Sequence, residues 1–184
     1  LGIQLSGNSD TQKFIAETYK TGSIALPEFG TTFVQGLIKQ AKPHTFNDLL
    51  IISGLSHGTD VWNNNAQDLI MKNGLQLNDV IGCRDDIMTY LISVGIDDGG
   101  AFKIMEDVRK GRKLKPEYMT LMQEHKVPEY YIESCNKIHY LFPRGHATAY
   151  VMMAVRVAYF KLYYPLEFYA VFFSIRSDDW DIKA

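Results

Sequence analysis

From Ser134 to Leu166 the chain carries no carboxylate, although Asp and Glu together number 21 in the whole sequence. The cations Lys137, Arg144, Arg156 and Lys161 stand there with His139 and His146. Interleaved with them are Tyr140, Phe142, Tyr150, Tyr159, Phe160, Tyr163 and Tyr164. The protein has a formal net charge of −2, so this cationic stretch is local and not a drift of composition. A surface that approaches phosphates keeps its own anions away, and rings among the cations offer faces on which bases stack. One reading is therefore a site for a nucleotide or a nucleic-acid strand. A second reading competes with it. Ala147 to Val155 is apolar on nearly every face of a helix, which marks a buried helix, and burial excludes carboxylates through desolvation. Arg156, at the end of that run, then needs an anion from another helix or from a ligand.

Other residues invite chemistry less strongly. Asp85 and Asp86 could hold magnesium, but adjacent acids before an apolar run more commonly cap a helix and meet its dipole. Arg84 beside them suits a phosphate oxygen or an ion pair with either acid. Ser53-Gly54-Leu55-Ser56-His57-Gly58-Thr59 reads as a glycine-bearing turn between two helices, of helix-turn-helix appearance, able to present N–H groups to phosphate. His57 there serves either the turn or a ligand. Lys103, Arg109, Lys110, Arg112, Lys113 and Lys115 cluster around Glu106 and Asp107, as a solvated helix end or a contact for a DNA backbone. Cys83 and Cys135 lack a His and an acid at catalytic spacing, and no His/Cys cluster has zinc-ligand spacing. Read from its residues alone, the chain is a binding domain.

The elements that must position these groups are helices. At 184 residues the chain is about one domain that needs no disulfide or metal to fold. Two isolated cysteines suit a reducing, cytoplasmic compartment, where they become small core residues. No segment reads as a secretory signal, and the apolar run near 145–155 is closed by Arg156, well short of a membrane span. The start at Leu1-Gly2-Ile3 is that of a piece of something longer. Ser6 to Asp10 reads as a turn, Thr11 to Lys20 as a short helix and Thr21 to Pro27 as a connector. Helices are predicted over 28–40, 46–52 with a capping box from Thr45 to Asp48, 60–72, a short one capped by Asn78, 87–94, 99–109, from Pro116, 128–141, 146–163 and 165–176. The fold class is all-α, with about nine helices and short connections. Residues 1–26 form a connector or join and 27–184 the main domain, with a subdivision near 95–116.

Several long runs carry a resemblance. They are Leu26-Pro-Glu-Phe-Gly-Thr31, Ile52-Ser-Gly-Leu-Ser-His-Gly-Thr-Asp-Val-Trp62 and Asn65-Ala-Gln-Asp-Leu-Ile70. With them go Val80-Ile-Gly-Cys-Arg-Asp-Asp-Ile-Met88, Ala101-Phe-Lys-Ile-Met-Glu-Asp-Val-Arg-Lys-Gly111, Val127-Pro-Glu-Tyr-Tyr-Ile-Glu-Ser-Cys135 and Tyr140-Leu-Phe-Pro-Arg-Gly-His-Ala-Thr-Ala-Tyr150. Over about 26–184 the chain resembles the fingers region of PolC-type replicative DNA polymerases, the DNA polymerase III α subunits of low-GC Gram-positive bacteria and mycoplasmas.

The resemblance implies helices that close over the nascent base pair and grip the incoming dNTP on primer-template DNA. By position it implies Tyr140, Phe142 and His146 near the base or sugar, and Ser53 and His57 near the base pair. It makes Arg84, Lys137 and Arg144 contacts to triphosphate or primer-template phosphates, with Lys103, Arg109, Lys110 and Arg156 on the DNA backbone. Magnesium would be held by palm aspartates outside this chain, and the chain alone would be inactive. The palm, the other domains of the parent polymerase and replisome proteins would be its partners. Two readings of other classes remain beside it, a helix-turn-helix duplex-binding module and a helical protein-interaction scaffold. Where the family reads Phe-Pro-Lys-Ala-His-Ala, this chain has Arg144 and Gly145. The charge is kept, while glycine loosens the helix start by roughly 1 kcal/mol relative to alanine.

Overall fold

Thr45 begins a helix in the way its spacing to Asp48 predicts. Its hydroxyl accepts from the Asp48 N–H at 3.1 Å, and the Asp48 carboxylate accepts from the N–H groups of His44 and Thr45 at 2.8 and 2.9 Å. Two of the orphan donors of a helix start are satisfied reciprocally. Equivalent local signals set most of the fold. The computed structural model describes residues 21–176, so the turn and helix expected within 6–20 lie outside the described residues. Among those described there are nine α-helices and no strand. They are α1 (Thr32–Ala41), α2 (Phe46–His57), α3 (Gln67–Met71), α4 (Arg84–Ser93), α5 (Asp98–Arg109), α6 (Pro116–Glu124), α7 (Glu129–Lys137), α8 (Arg144–Tyr163) and α9 (Pro165–Ile175). A π-type turn at Trp62–Ala66 and a 3₁₀ turn at Leu77–Asp79 complete the elements.

Five expectations require correction. The first predicted helix starts at Thr32, not residue 28, because Ala25 and Glu28 take left-handed φ values of 63° and 69° and Thr31 is the N-cap. The helix expected over 60–72 is irregular at Asn63 and Asn64 and regular only from Gln67. The supposed turn at Ser53–Thr59 is mostly helix: α2 runs on to His57, and the chain reverses at Gly58 to Asp60, where Asp60 has φ 56°. Gly54 is glycine for a different reason. A Cβ there would strike the Gly82 carbonyl and stand 2.7 Å from Cys83 Sγ, so its role is close approach of α2 to the 82–83 backbone. With no turn between Ser53 and His57, the helix-turn-helix reading loses its basis.

The fourth concerns α8. Only Ala147, Val151 and Ala154 of it are buried, while Met152, Met153, Val155 and Arg156 are exposed. One stripe of α8 packs on α2, and its other apolar faces, like all of α9, meet too little of the described residues to be buried. Arg156 is therefore not a buried charge in need of a partner.

The core lies beneath these helices. Ile52 and Leu55 of α2, Ile87 and Leu91 of α4, Ile104 and Val108 of α5, and Met122, Ile138 and Leu141 form its fully buried centre. Gly95, at φ 96°, closes α4 tightly enough for α5 to pack back against it. Cys83 and Cys135 are buried and unpaired, and burial pushes both thiols up to about 12. They are core residues.

The helix predicted over 128–141 stops at Lys137, and Ile138 to Pro143 is a non-helical strip with a bend at His139 and an isolated bridge from Tyr140 to Thr59. Backbone bonds hold this strip from two sides. Thr59 N–H donates to the Tyr140 carbonyl and His139 N–H to the Thr59 carbonyl, both at 3.0 Å. Leu141 N–H reaches the Arg109 carbonyl at 3.5 Å, and Arg84 N–H donates to the Phe142 carbonyl at 3.1 Å. The strip delivers the acid-free stretch to the junction of α2, α4, α5 and α8.

Candidate nucleotide and nucleic-acid interface

Phe142 leaves this strip between two imidazoles. Its ring stacks on His57 at 4.8 Å between centroids and meets His146 edge-on at 4.5 Å, and His146 stacks on Tyr150 at 4.2 Å. His146 and Tyr150 stand four residues apart on α8, the spacing that brings side chains together on one face. The row His57–Phe142–His146–Tyr150 thus joins the end of α2 to the first turns of α8. His57 is fixed by its polar contacts as well. Nδ1 lies 2.7 Å from the Ser53 carbonyl and 3.0 Å from Ser56 Oγ, and Nε2 lies 2.7 Å from Glu28 Oε2. The ring is thus held between a backbone carbonyl and a carboxylate, both acceptors.

The start of α8 has an unusual charge pattern. Helix N-termini favour acidic residues and a Ser, Thr, Asp or Asn cap. Here Pro143 occupies the cap position without a side-chain bond, no acid lies in the first turn, and Arg144 is the first residue. The compensation comes from α4. Asp85 Oδ2 accepts from the Arg144 backbone N–H at 2.7 Å. Asp86 Oδ1 accepts from guanidinium Nη1 at 2.6 Å, and Asn47 Oδ1 accepts from Nη2. Asp86 Oδ2 meanwhile accepts from the Gly82 and Cys83 N–H groups at 3.1 and 2.8 Å, capping α4. Both acids are thus engaged by N–H groups, in the capping role that the sequence favours for them.

The remaining sequence-derived candidates fall at graded distances from this junction. Arg84 contributes its backbone to the strip, and its side chain makes only a loose 3.9 Å approach to Asp85. Tyr140 is 44 % exposed on the strip, and Lys137 is exposed in the last turn of α7, where a cation suits the helix dipole. Ser53 is not brought to the surface. It is buried, and its hydroxyl has no hydrogen-bond partner among the described residues. Lys103, Arg109 and Lys110 lie on or just after α5. Glu106 is chelated by Arg109 and Lys110, whose hydrogen bonds hold its carboxyl down to about 2. Arg112 and Lys115 pair with Asp107 at 3.1 and 4.0 Å. That cluster is a largely self-neutralised helix end, with Lys103 exposed one turn before it. Arg156 sits about 18 Å along α8 from Arg144.

Glu28, Asn47 and Tyr150 complete the junction; in the sequence Tyr150 stands only as one ring of the acid-free stretch, and Glu28 and Asn47 have no place in it. Tyr150 was signalled by its spacing from His146. Glu28 and Asn47 carried no signal, since each meets its partner only through the tertiary fold.

The helices that carry these rings and cations to one junction make an all-helical domain, and the comparisons give its family. A family model described as the bacterial DNA polymerase III alpha subunit finger domain matches residues 6–128. The chain belongs to this family. Its similarity within the family is to the PolC type. DNA polymerase III PolC-type of Halalkalibacterium halodurans is 58% identical over 163 residues, 89% of this chain and 11% of that protein. The protein of the same name in Ureaplasma parvum is 60% identical over 162 residues, 88% of this chain and 11% of that protein. That of Bacillus subtilis is 57% identical over 163 residues, again 89% and 11%. The chain thus spans about 11% of the length of these relatives.

Proposed function

We propose that this fingers domain binds the incoming deoxynucleoside triphosphate and the primer-template during template-directed DNA synthesis by a cytoplasmic PolC-type polymerase. The observation that carries the reading is the N-terminus of α8, which lacks a cap and an acid of its own, begins with Arg144, and adjoins the His57–Phe142–His146–Tyr150 row. A helix N-terminus with a guanidinium suits phosphate oxygens, and neighbouring rings suit a base or sugar. In this reading Arg144 meets the triphosphate, with Arg84 and Lys137 available to it or to primer-template phosphates. Tyr140, Phe142 and His146 flank the base or sugar, and Lys103 and Arg156 meet the DNA backbone farther out.

The domain's contribution is position and electrostatics: cations answer charge developing on the departing pyrophosphate, and the ring-lined surface tests the shape of the base pair. Magnesium would neutralise phosphate charge in the full enzyme. Among the described residues no group of three His, Cys, Asp or Glu side chains converges on a metal position, and Asp85 and Asp86 are committed to N–H groups. In this reading the metal ligands belong to the palm of the parent polymerase. The exposed apolar faces of α8 and α9 would dock against other domains of the parent polymerase. No described helix is long and apolar enough to cross a membrane.

The test is Arg144→Ala in a full-length PolC-type polymerase carrying this fingers sequence. The expected result is a KM for dNTP raised roughly ten-fold, the loss of a charged hydrogen bond, with primer-template affinity nearly unchanged. An unchanged KM would refute the nucleotide role of Arg144. The chain alone should extend no primer with magnesium and all four dNTPs.

A further inference from the structure

Arg144 is a long, flexible side chain, yet two helices hold its tip. Asp86 of α4 accepts from Nη1 at 2.6 Å and Asn47 of α2 accepts from Nη2. Each acceptor is itself anchored. Asp86 spends its second oxygen on the Gly82 and Cys83 N–H groups, and Asn47 donates through Nδ2 to Asn78 Oδ1 at 2.8 Å. The guanidinium has five N–H donors, of which these contacts use two. Nε–H and one hydrogen on each Nη stay uncommitted among the described residues. The side chain is 38% exposed and borders an open cleft of about 510 Å³ shared with Asn78, Thr89 and Tyr90. The arrangement fixes the direction of the fork while leaving donors to spare.

We propose that Asn47 and Asp86 are positioning residues, which clasp Arg144 so that its remaining donors are pre-aimed at the triphosphate of the incoming nucleotide. This rests on the nucleotide role of Arg144 proposed above. Freezing the guanidinium before the ligand arrives removes rotamer entropy that binding would otherwise spend, and it fixes where phosphate oxygens must sit. The clasp also fits arginine in particular. A fork meets two acceptors on separate helices with two nitrogens, whereas a lysine offers one. Asp86 costs some of the positive potential, but its charge is shared with the N–H groups that begin α4.

The test uses a full-length PolC-type polymerase carrying this fingers sequence, with steady-state dNTP kinetics, primer-template titration and thermal unfolding measured together. Asn47→Leu removes the acceptor on Nη2 and leaves the Asp48 and Asp86 caps intact. It should raise the KM for dNTP about five-fold, with a smaller change in kcat and no change in primer-template Kd. Asp86→Asn keeps an oxygen for the α4 cap but loses the charge facing Nη1, and should move KM the same way. In an Arg144→Ala background neither substitution should raise KM further, since each acts through the guanidinium. A purely structural role predicts the opposite, a lowered unfolding temperature and the same KM factor with or without Arg144. That outcome, or an unchanged KM in both single variants, overturns the proposal while leaving the nucleotide role of Arg144 standing. If Arg144→Ala itself leaves KM unchanged, the underlying reading fails and the positioning role falls with it.

Discussion

Gly54 and Gly145 both sit inside helices, and their surroundings give them opposite consequences on substitution. A Cβ on Gly54 would collide with the Gly82 carbonyl and crowd Cys83 Sγ, all in the packed core. Gly54→Ala should therefore destabilise the fold by about 2 kcal/mol, through overpacking that backbone cannot relieve cheaply. Gly145 has nothing within 4 Å of its would-be Cβ and no left-handed φ. Gly145→Ala should stabilise by about 0.5–1 kcal/mol, by removing excess freedom from the unfolded chain. Urea unfolding midpoints of the two variants check both signs, and a shared sign would refute one of the two accounts. The sequence announced both glycines but not their difference. A glycine's neighbours in space, here residues 82–83 against open solvent, are invisible in a linear pattern. Short-range chemistry was legible by contrast: Thr45 and Asp48 are three apart, and their box formed as spaced. The clasp on the Arg144 guanidinium joins residues separated by 97 and 58 positions, so only the fold could reveal it.

At the scale of elements, α4 caps α8. Asp85 takes the first N–H of a helix that its own chain neighbour, Pro143, cannot cap. Asp85→Ala should cost about 1 kcal/mol, the usual loss on removing a cap. Asp85→Asn, which retains an acceptor oxygen, should recover most of it in the same denaturation assay. Equal losses for the two would mean that the charge, meeting the α8 dipole or Arg84, matters more than the hydrogen bond. Reading elements from sequence worked where periodicity and caps agreed, as in α5, α6 and α9. It failed where one signal had two physical causes. Glycine and serine in the Ser53–Thr59 run resembled a turn, but α2 continues because Leu50, Ile51, Ile52 and Leu55 bury along it and Gly54 permits the approach of a neighbouring backbone. Apolar residues all round α8 resembled a buried helix, yet most of its surface is open among the described residues.

That open surface is the dominant feature of the whole molecule. Phe160, Leu162, Tyr163, Leu166 and Ile175 are each more than half exposed, with Leu166 at 83%, and α9 buries no residue fully. The long acid-free stretch thus divides: its first part makes the ring-and-cation junction, and its remainder presents an apolar face that α9 continues, with Glu167 at its start. Contiguous apolar surface of this kind marks a docking face, and in isolation it drives self-association. The chain alone should therefore show a weight-average mass that rises with concentration in sedimentation, well above the monomer mass at about 100 μM. Leu166→Glu together with Ile175→Lys should shift that association to higher concentration. Neither side chain is part of the core, so the unfolding free energy should change by less than about 0.5 kcal/mol. A monomer at every concentration would mean that the face is too discontinuous to bind itself. Loss of stability in the double variant would mean instead that α9 does more for the core than its exposure indicates. Leu166 follows the end of α8, about 28 Å along the helix from Arg144, whereas Ile175 lines a cleft with Glu28, the partner of His57, so Leu166→Glu alone is the variant that separates docking from nucleotide binding. In a full-length polymerase it should disturb domain packing while the KM for dNTP follows only what that packing positions.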